Sequence, residues 1–114
     1  MKKKIISILE LSKKIALLRK KNKNIALCHG VFDLLHPGHI SHLNQAKKLA
    51  DILVVSLTPD RYVNKGPSRP AFTEKLRAET ISSLEVVDYV VINTNVIPVP
   101  DLVRVCELTR SDNF

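Results

Sequence analysis

Residues 29–39, HGVFDLLHPGH, combine glycine and histidine in a pattern that suits phosphate chemistry. They follow a short apolar run at residues 25–28 and precede a segment with helical spacing. A strand that passes through a glycine-containing turn into a helix leaves unpaired N–H groups at the helix N-terminus. The helix dipole also favours negative charge there. His36 and His39 lie at this junction and can donate hydrogen bonds to oxygen. The pattern therefore predicts an anion site, with phosphate as the expected anion.

The histidines also allow a second interpretation, a zinc site. Four of them lie close together in the chain: His29, His36, His39 and His42. The last two are three residues apart and would share a helix face, as zinc ligands can. No cysteine and no obvious fourth-ligand pattern accompanies them, so the sequence favours the anion site and predicts no metal bound by the protein alone.

The elements around the motif predict an α/β fold with a Rossmann-like, three-layer parallel sheet. Helical spacing predicts helices over residues 7–20, 38–50 and 73–84. Pro37 precedes the second helix, and Thr73 caps the third. Apolar runs at 25–28, 51–57 and 86–92 predict three buried strands. A further helical stretch begins at residue 100 or 101. Strands and helices that alternate in this order form parallel sheets with right-handed crossovers.

Ligands of such sheets bind beyond the carboxyl ends of the strands. The chain has three glycines, and all of them fall in loops at this predicted edge: Gly30, Gly38 and Gly66. The glycines and the histidine motif thus indicate the same edge of the sheet as the functional one.

Composition indicates one soluble domain. The chain has 114 residues, 45% of them hydrophobic and 25% charged, and no apolar run approaches the roughly 20 residues of a membrane-spanning helix. Charged residues interrupt the apolar start and no cleavage site follows, so a cytoplasmic location and no membrane contact are expected. Cys28 and Cys106 form no metal or redox motif and are expected to be reduced thiols.

The net charge of +7 is concentrated at the N-terminus. Residues 1–24 contain nine basic residues and one acidic residue, a net charge of +8, whereas the other 90 residues contain nine basic and ten acidic ones, a net charge of −1. Contact with nucleic acid or anionic lipid is one interpretation. The solvated face of an amphipathic helix is favoured over it, so nucleic-acid binding is not expected.

The motif resembles the G-x-F-D-x-x-H-x-G-H signature of the cytidylyltransferase-like nucleotidyltransferases. Similar segments follow at 51–55, 58–60, 65–70, 74–77 and 87–90, so the resemblance covers residues 5 to about 93. The KGPSRP loop at 65–70 and the leading helix are most similar to heptose-1-phosphate adenylyltransferases, which are often joined to a sugar kinase. Glycerol-3-phosphate cytidylyltransferase is a more distant relative. Charge and helical spacing predict a basic amphipathic helix at 1–24, and the resemblance implies a nucleotidyltransferase domain at 25–114 that is incomplete at its C-terminus.

The resemblance implies a reaction that needs no covalent nucleophile. A phosphorylated sugar or polyol attacks the α-phosphate of a nucleoside triphosphate, expected to be ATP with Mg²⁺, and pyrophosphate leaves. Positioning and electrostatic stabilisation carry such a transfer. The expected catalytic residues are His36, His39 and Lys65. The expected nucleotide-binding residues are Gly30, Val31, Phe32, Asp33, Gly38, Asp60 and Arg69.

Individual roles within this set differ. Gly30 would allow a tight turn, Gly38 would let phosphate approach the backbone, and Lys65 with Arg69 would neutralise pyrophosphate or hold the acceptor phosphate. Asp33 and Asp60 would either help hold Mg²⁺ or orient a histidine, and both alternatives stay open. The resemblance implies a structural or interfacial role for Arg77.

The chain departs from the family after residue 93. It contains neither the expected P-D-x-x-V-K-G strand nor an ISTT-like segment. We therefore expect about three of the family's five strands, a C-terminally truncated domain, and a motif-bearing strand with an unpaired edge. Two alternatives to the adenylyltransferase follow: an inactive remnant that still binds nucleotide, and a CTP-using enzyme similar to glycerol-3-phosphate cytidylyltransferase. The resemblance favours a homodimer and suggests a sugar-kinase partner.

Overall fold

The computed structural model describes residues 3–62, 72–93 and 110–113. Four helical segments and four strands lie within these ranges. In chain order they are α1 (Ile8–Lys20), β1 (Ile25–Gly30), α2 (Pro37–Lys48), β2 (Ile52–Leu57), a 3₁₀ turn (Asp60–Tyr62), α3 (Glu74–Ser82), β3 (Tyr89–Ile92) and β4 (Arg110–Asn113). The alternation of strands and helices confirms the predicted α/β class.

The strands form one parallel sheet in the order β3-β2-β1-β4. The three predicted strands are confirmed, and β1 pairs with β2 from Ile25 opposite Ile52 onward. The expectation of an unpaired edge at β1 is wrong, because β4 pairs with it from Ala26 opposite Arg110. The sequence of β4, RSDN, has no β-branched or aromatic residue and therefore gave no strand signal.

The opposite edge of the sheet is extended by the residues before α1. Ile5 forms a parallel bridge to Val90, the Ile6 amide donates to the Val90 carbonyl at 3.0 Å, and the Val90 amide donates to the Lys4 carbonyl at 2.9 Å. The leading segment therefore pairs with β3 before the chain turns into α1, whose cap is Ser7.

Helices cover both faces of the sheet and give the three predicted layers. One face packs against α2 and α3 in a buried cluster that includes Cys28, Leu43, Val55 and Ile81. The other face packs against α1 through Leu11 and Ile15. Within the described ranges, no helix is long and apolar enough to cross a membrane.

Candidate functional site

The loop between β1 and α2 carries the histidine motif at the carboxyl edge of the sheet. Gly30 ends β1, and its carbonyl accepts a hydrogen bond of 2.9 Å from the Thr58 amide just beyond β2. Phe32 then takes the left-handed conformation, with φ of 51°, although only 4% of it is exposed. A residue with a Cβ adopts this conformation at a cost of about 1 kcal/mol or more, so packing must hold Phe32 in place. Its ring and that of His39 pack in an edge-to-face arrangement, with centroids 5.5 Å apart and planes at 61°.

His36 and His39 cap the start of α2 reciprocally. The Gly38 amide donates to Nδ1 of His36 at 3.0 Å, and the His36 amide donates to Nδ1 of His39 at 3.3 Å. The two imidazoles also lie against each other, with centroids 3.8 Å apart and planes tilted by 31°. The two side chains therefore satisfy two backbone donors that the start of a helix would otherwise leave unpaired.

This capping assigns the tautomer of both rings. A neutral imidazole has one N–H and one acceptor nitrogen, and Nδ1 is the acceptor in His36 and in His39. The proton of each neutral ring is consequently on Nε2.

Gly38 is required by the ring that caps the helix. A Cβ added at this position would lie 2.8 Å from Cε1 and 3.0 Å from Nδ1 of His36. The sequence predicted that this glycine lets a phosphate approach the backbone. The structure gives it a further reason, space for the imidazole of His36, and the close approach of phosphate stays a prediction.

Arg77 joins the segments that surround the motif. Only 1% of this residue is exposed, and its guanidinium donates to the carbonyls of Val31 and Thr58, each at 2.8 Å. It also donates to Oδ1 of Asp60 at 2.7 Å and to the Phe72 carbonyl at 3.2 Å. These contacts fix the loops after β1 and β2 relative to the start of α3. The structural role implied by the resemblance matches this position.

The two candidate carboxylates also take part in the fold. Oδ1 of Asp33, a buried residue, accepts a hydrogen bond of 2.9 Å from the Phe72 amide. Asp60 accepts from Arg77, and its own amide donates to Oε1 of Glu74 at 3.0 Å. Across the described ranges, no group of three or more histidine, cysteine, aspartate or glutamate side chains is arranged to hold a metal ion. Roles for Asp33 and Asp60 in ligand binding stay predictions.

The other predicted residues divide into two groups. Gly30, Val31 and Phe32 lie in or directly after β1 and lead to the capped start of α2. Lys65 and Arg69 lie outside the described residues, together with Gly66 and Cys106. The structure thus brings the motif, Asp33 and Asp60 to one edge of the sheet.

From the sequence, His29 was considered only as a zinc ligand, and Ser56 was assigned no role. Nδ1 of His29 lies 3.0 Å from Oγ of Ser56, across the β1–β2 pairing. Burial lowers the pKa of His29 below its ordinary value, so the imidazole is neutral at pH 7. The signal available in the sequence was one polar residue at or near the end of each of two apolar runs. The pairing of β1 with β2 places these two residues opposite each other.

Comparison with known proteins identifies the family. Residues 27–110, most of the chain, match the sequence profile described as Cytidylyltransferase-like. The chain belongs to the cytidylyltransferase-like family. The family resemblance that the motif predicted is therefore confirmed.

Several relatives of this cytidylyltransferase-like chain carry the name bifunctional protein HldE. The protein from Helicobacter pylori is 46% identical over 75% of this chain, which spans 19% of that protein. The protein from Desulfatibacillum aliphaticivorans is 39% identical over 97% of this chain, which spans 24% of it. The chain thus spans about a fifth of the length of these curated relatives.

A solved structure supports the fold. The lipopolysaccharide core biosynthesis protein from Thermoplasma volcanium superposes on this cytidylyltransferase-like chain with a TM-score of 0.64 and 35% sequence identity. The match covers 73% of this chain and 68% of that one. The Rossmann-like class is therefore shared with a solved structure.

Proposed function

We propose that this chain is a nucleotidyltransferase domain that transfers AMP from ATP to the phosphate group of a sugar or polyol phosphate. The family match and the HldE relatives support the reaction class. The resemblance of the KGPSRP loop and the leading helix to heptose-1-phosphate adenylyltransferases supports ATP and a sugar phosphate as the two substrates.

The reciprocal capping of α2 is the observation that carries this proposal. His36 and His39 each accept a backbone amide at Nδ1, so a neutral ring carries its N–H at Nε2, and both residues lie at the positive end of a helix dipole. Triphosphate oxygens are suitable acceptors for this pair of donors. We assign the triphosphate of the nucleotide to this position.

The proposed reaction is an in-line substitution at the α-phosphorus. An oxygen of the acceptor phosphate forms the new bond to phosphorus while the bond to the bridging oxygen of pyrophosphate breaks, and pyrophosphate carries away the electron pair. Negative charge increases on the oxygens around phosphorus. Donors that are already oriented, such as Nε2–H of His36 and His39, stabilise that charge without reorganising during the reaction.

We assign Lys65 and Arg69, which follow the 3₁₀ turn in the sequence, to the same site. Their cationic side chains would bind the leaving pyrophosphate or the acceptor phosphate. This assignment comes from the resemblance of residues 65–70 to the family loop, and from the position of that loop in the chain beyond β2.

Mg²⁺ enters the proposal as the counter-ion of the nucleoside triphosphate. Among the described residues, no three histidine, cysteine, aspartate or glutamate side chains are grouped as a protein cage for the ion. Mg²⁺ commonly binds through substrate phosphates, water and one or two carboxylates. The steps that we assign to this chain therefore use the hydrogen-bond donors of its own side chains.

The experiment that tests the proposal measures pyrophosphate release by the full chain. ATP or CTP, with Mg²⁺, is combined with a panel of acceptors: hexose 1-phosphates, a heptose 1-phosphate and glycerol 3-phosphate. We expect release that requires both a nucleotide and an acceptor, with ATP and a sugar phosphate as the preferred pair. Mass spectrometry of the product should show a nucleoside diphosphate joined to the sugar.

Each other outcome identifies a different function. Release with CTP and glycerol 3-phosphate alone would replace the adenylyltransferase with a cytidylyltransferase. Nucleotide binding without release from any pair would identify the chain as an inactive nucleotide-binding remnant. No binding of either nucleotide would reject the proposal.

A further inference from the structure

Polar residues occupy the carboxyl ends of three neighbouring strands on the sheet face that α1 covers. His29 and Ser56 are opposite each other near the ends of β1 and β2, and Asn93 directly follows β3. The residue two positions earlier in each strand belongs to the apolar cluster that packs against α1, namely Leu27, Val54 and Val91. Because side chains alternate between the two faces, these three polar residues, which we call the polar row, share that face.

Two members of the polar row are directly bonded. Nδ1 of His29 lies 3.0 Å from Oγ of Ser56, and Ser56 has no exposed surface. His29 is the one residue of β1 that is only partly buried. Its imidazole is neutral at pH 7, because burial lowers its pKa. The pair therefore presents an uncharged imidazole, oriented by a buried hydroxyl, at the end of the strand.

Asn93 extends this arrangement across the sheet. Its amide donates to the Leu57 carbonyl at 3.0 Å, so the residue continues the pairing of β3 with β2. It is buried, with 5% of its surface exposed. The carboxamide-bearing residue is thus fixed beside the end of β2, on the far side of Ser56 from β1.

On the opposite face, the ends of the same three strands, β1, β2 and β3, have no such row. The residues at the same strand ends there are Gly30, Leu57 and Ile92, and the last two pack in or against the apolar cluster under α2 and α3. The polar row is therefore confined to one side of the carboxyl edge. It is separate from the capping histidines, which lie on α2.

The chemistry of the row suits hydroxyl groups. An imidazole, a hydroxyl and a carboxamide each contain a donor and an acceptor, and none of them is charged at pH 7. A phosphate would be bound better by cationic side chains or a helix N-terminus. A hydroxyl group, which is itself both donor and acceptor, matches these neutral groups.

We propose that the polar row of His29, Ser56 and Asn93 is the subsite that recognises hydroxyl groups on the carbon skeleton of the acceptor. The partly exposed His29 makes the contact, and the buried Ser56 orients its ring. This inference rests on the proposed transfer to a sugar or polyol phosphate. The phosphate-binding groups of the motif then hold the reacting phosphate groups, and the polar row determines which hydroxylated acceptor is bound.

Amide chemical shifts of the ¹⁵N-labelled full chain test the location of the subsite. Mannose 1-phosphate, glucose 1-phosphate, glycerol 3-phosphate and inorganic phosphate are titrated separately. We expect at least one of the three organic phosphates to shift the amides of the polar row, and inorganic phosphate to shift only those near His39. Equal shifts of the polar row by inorganic phosphate, or none by any organic phosphate, would overturn the inference.

Substitutions then separate recognition from folding. His29→Leu and Ser56→Ala should each weaken binding of the organic phosphate that shifts the row by about tenfold, and leave the dissociation constant of ATP within about twofold. His29→Asn retains a neutral donor and acceptor and should restore most of the affinity. Ser83→Ala, which removes an exposed hydroxyl at the end of α3, is the matched control.

The two proposals fail in different ways. Equal weakening of ATP and of the organic phosphate, or no change in either, would overturn the subsite. Intact organic-phosphate binding at the row without pyrophosphate release would reject the transfer reaction and retain the subsite. If Ser56→Ala does not fold, the comparison of His29→Leu with His29→Asn decides the question.

Discussion

At the residue scale, Arg77 shows how one buried side chain can position a whole site. Its guanidinium bonds to carbonyls of Val31, Thr58 and Phe72 and to the carboxylate of Asp60. A planar fork with five N–H donors can serve such a dispersed set of acceptors, and an ammonium group cannot reproduce that geometry. The side chain thereby holds the loops after β1 and β2 and the start of α3 in one arrangement.

We predict that Arg77→Lys lowers the free energy of unfolding by about 3 kcal/mol, because buried acceptors lose their partners. Urea denaturation measures this change, and Lys75→Ala at an exposed position of the same helix is the control. A loss below about 0.5 kcal/mol would contradict the positioning role.

His29 gives a prediction for the pH dependence of stability. Burial lowers its pKa below the ordinary value of 6.5, so the unfolded chain binds the proton first as the pH falls. Its contribution to stability is complete above pH 6.5 and is lost as the pH falls from there toward the lower pKa of the folded state. We expect His29→Asn to lose less stability than the wild type between about pH 7 and about pH 5 in urea denaturation. Equal losses would show that burial of His29 does not couple to folding.

At the scale of elements, apolar runs and helical periodicity predicted most of the fold. The run at 51–57 corresponds to β2 (Ile52–Leu57), and the predicted cap Thr73 accepts the Leu76 amide at 3.2 Å. The strand predicted at 86–92 is shorter, Tyr89–Ile92, because the Val87 amide first closes a turn on the Leu84 carbonyl. Local sequence patterns are enough to predict a helix or strand where burial of its apolar residues determines that element.

Elements without an apolar pattern were not predictable. β4 has the polar sequence RSDN and is defined by its pairing with β1. The segment at 4–6 joins the edge of β3 although lysines precede it. Both are placed by backbone hydrogen bonds to a strand that is distant in sequence, and residue types report such bonds only weakly.

The residues of the candidate site could be predicted from the sequence, but the hydrogen bonds and contacts between them could not. The motif identified His36, His39 and Gly38 as neighbours of a helix start. The reciprocal caps, the clash that a Cβ at Gly38 would make, and the contacts of Arg77 across 46 residues to Val31 depend on side-chain conformation and tertiary packing.

The start of α2 gives a direct prediction. Gly38→Ala places a Cβ 2.8 Å from Cε1 of His36, so the ring must shift and its cap is weakened. We expect the free energy of unfolding to fall by about 1 kcal/mol and ATP to bind about tenfold more weakly. Denaturation and calorimetric titration measure both effects, with Gln45→Ala on the exposed face of α2 as control. Unchanged ATP affinity would separate the cap from the binding site.

At the scale of the whole molecule, exposed apolar side chains near the carboxyl edge suit self-association. Leu34 and Phe72 are 48% and 46% exposed, and the Phe72 amide bonds to Asp33, the neighbour of Leu34. We predict a homodimer by light scattering and its dissociation in Phe72→Glu. Leu49→Glu, which changes an equally exposed leucine at the other end of α2, should leave the dimer intact. A monomeric wild type at micromolar concentration would contradict this prediction.

The most direct test of the account compares pyrophosphate release by the wild type and by His39→Ala. The account assigns Nε2–H of this residue to the triphosphate, and its Nδ1 caps the His36 amide. It predicts release by the wild type that depends on both ATP and a sugar phosphate, reduced by about a hundredfold or more in the variant. Equal release by the two folded proteins would contradict the assignment of the triphosphate to the capped start of α2.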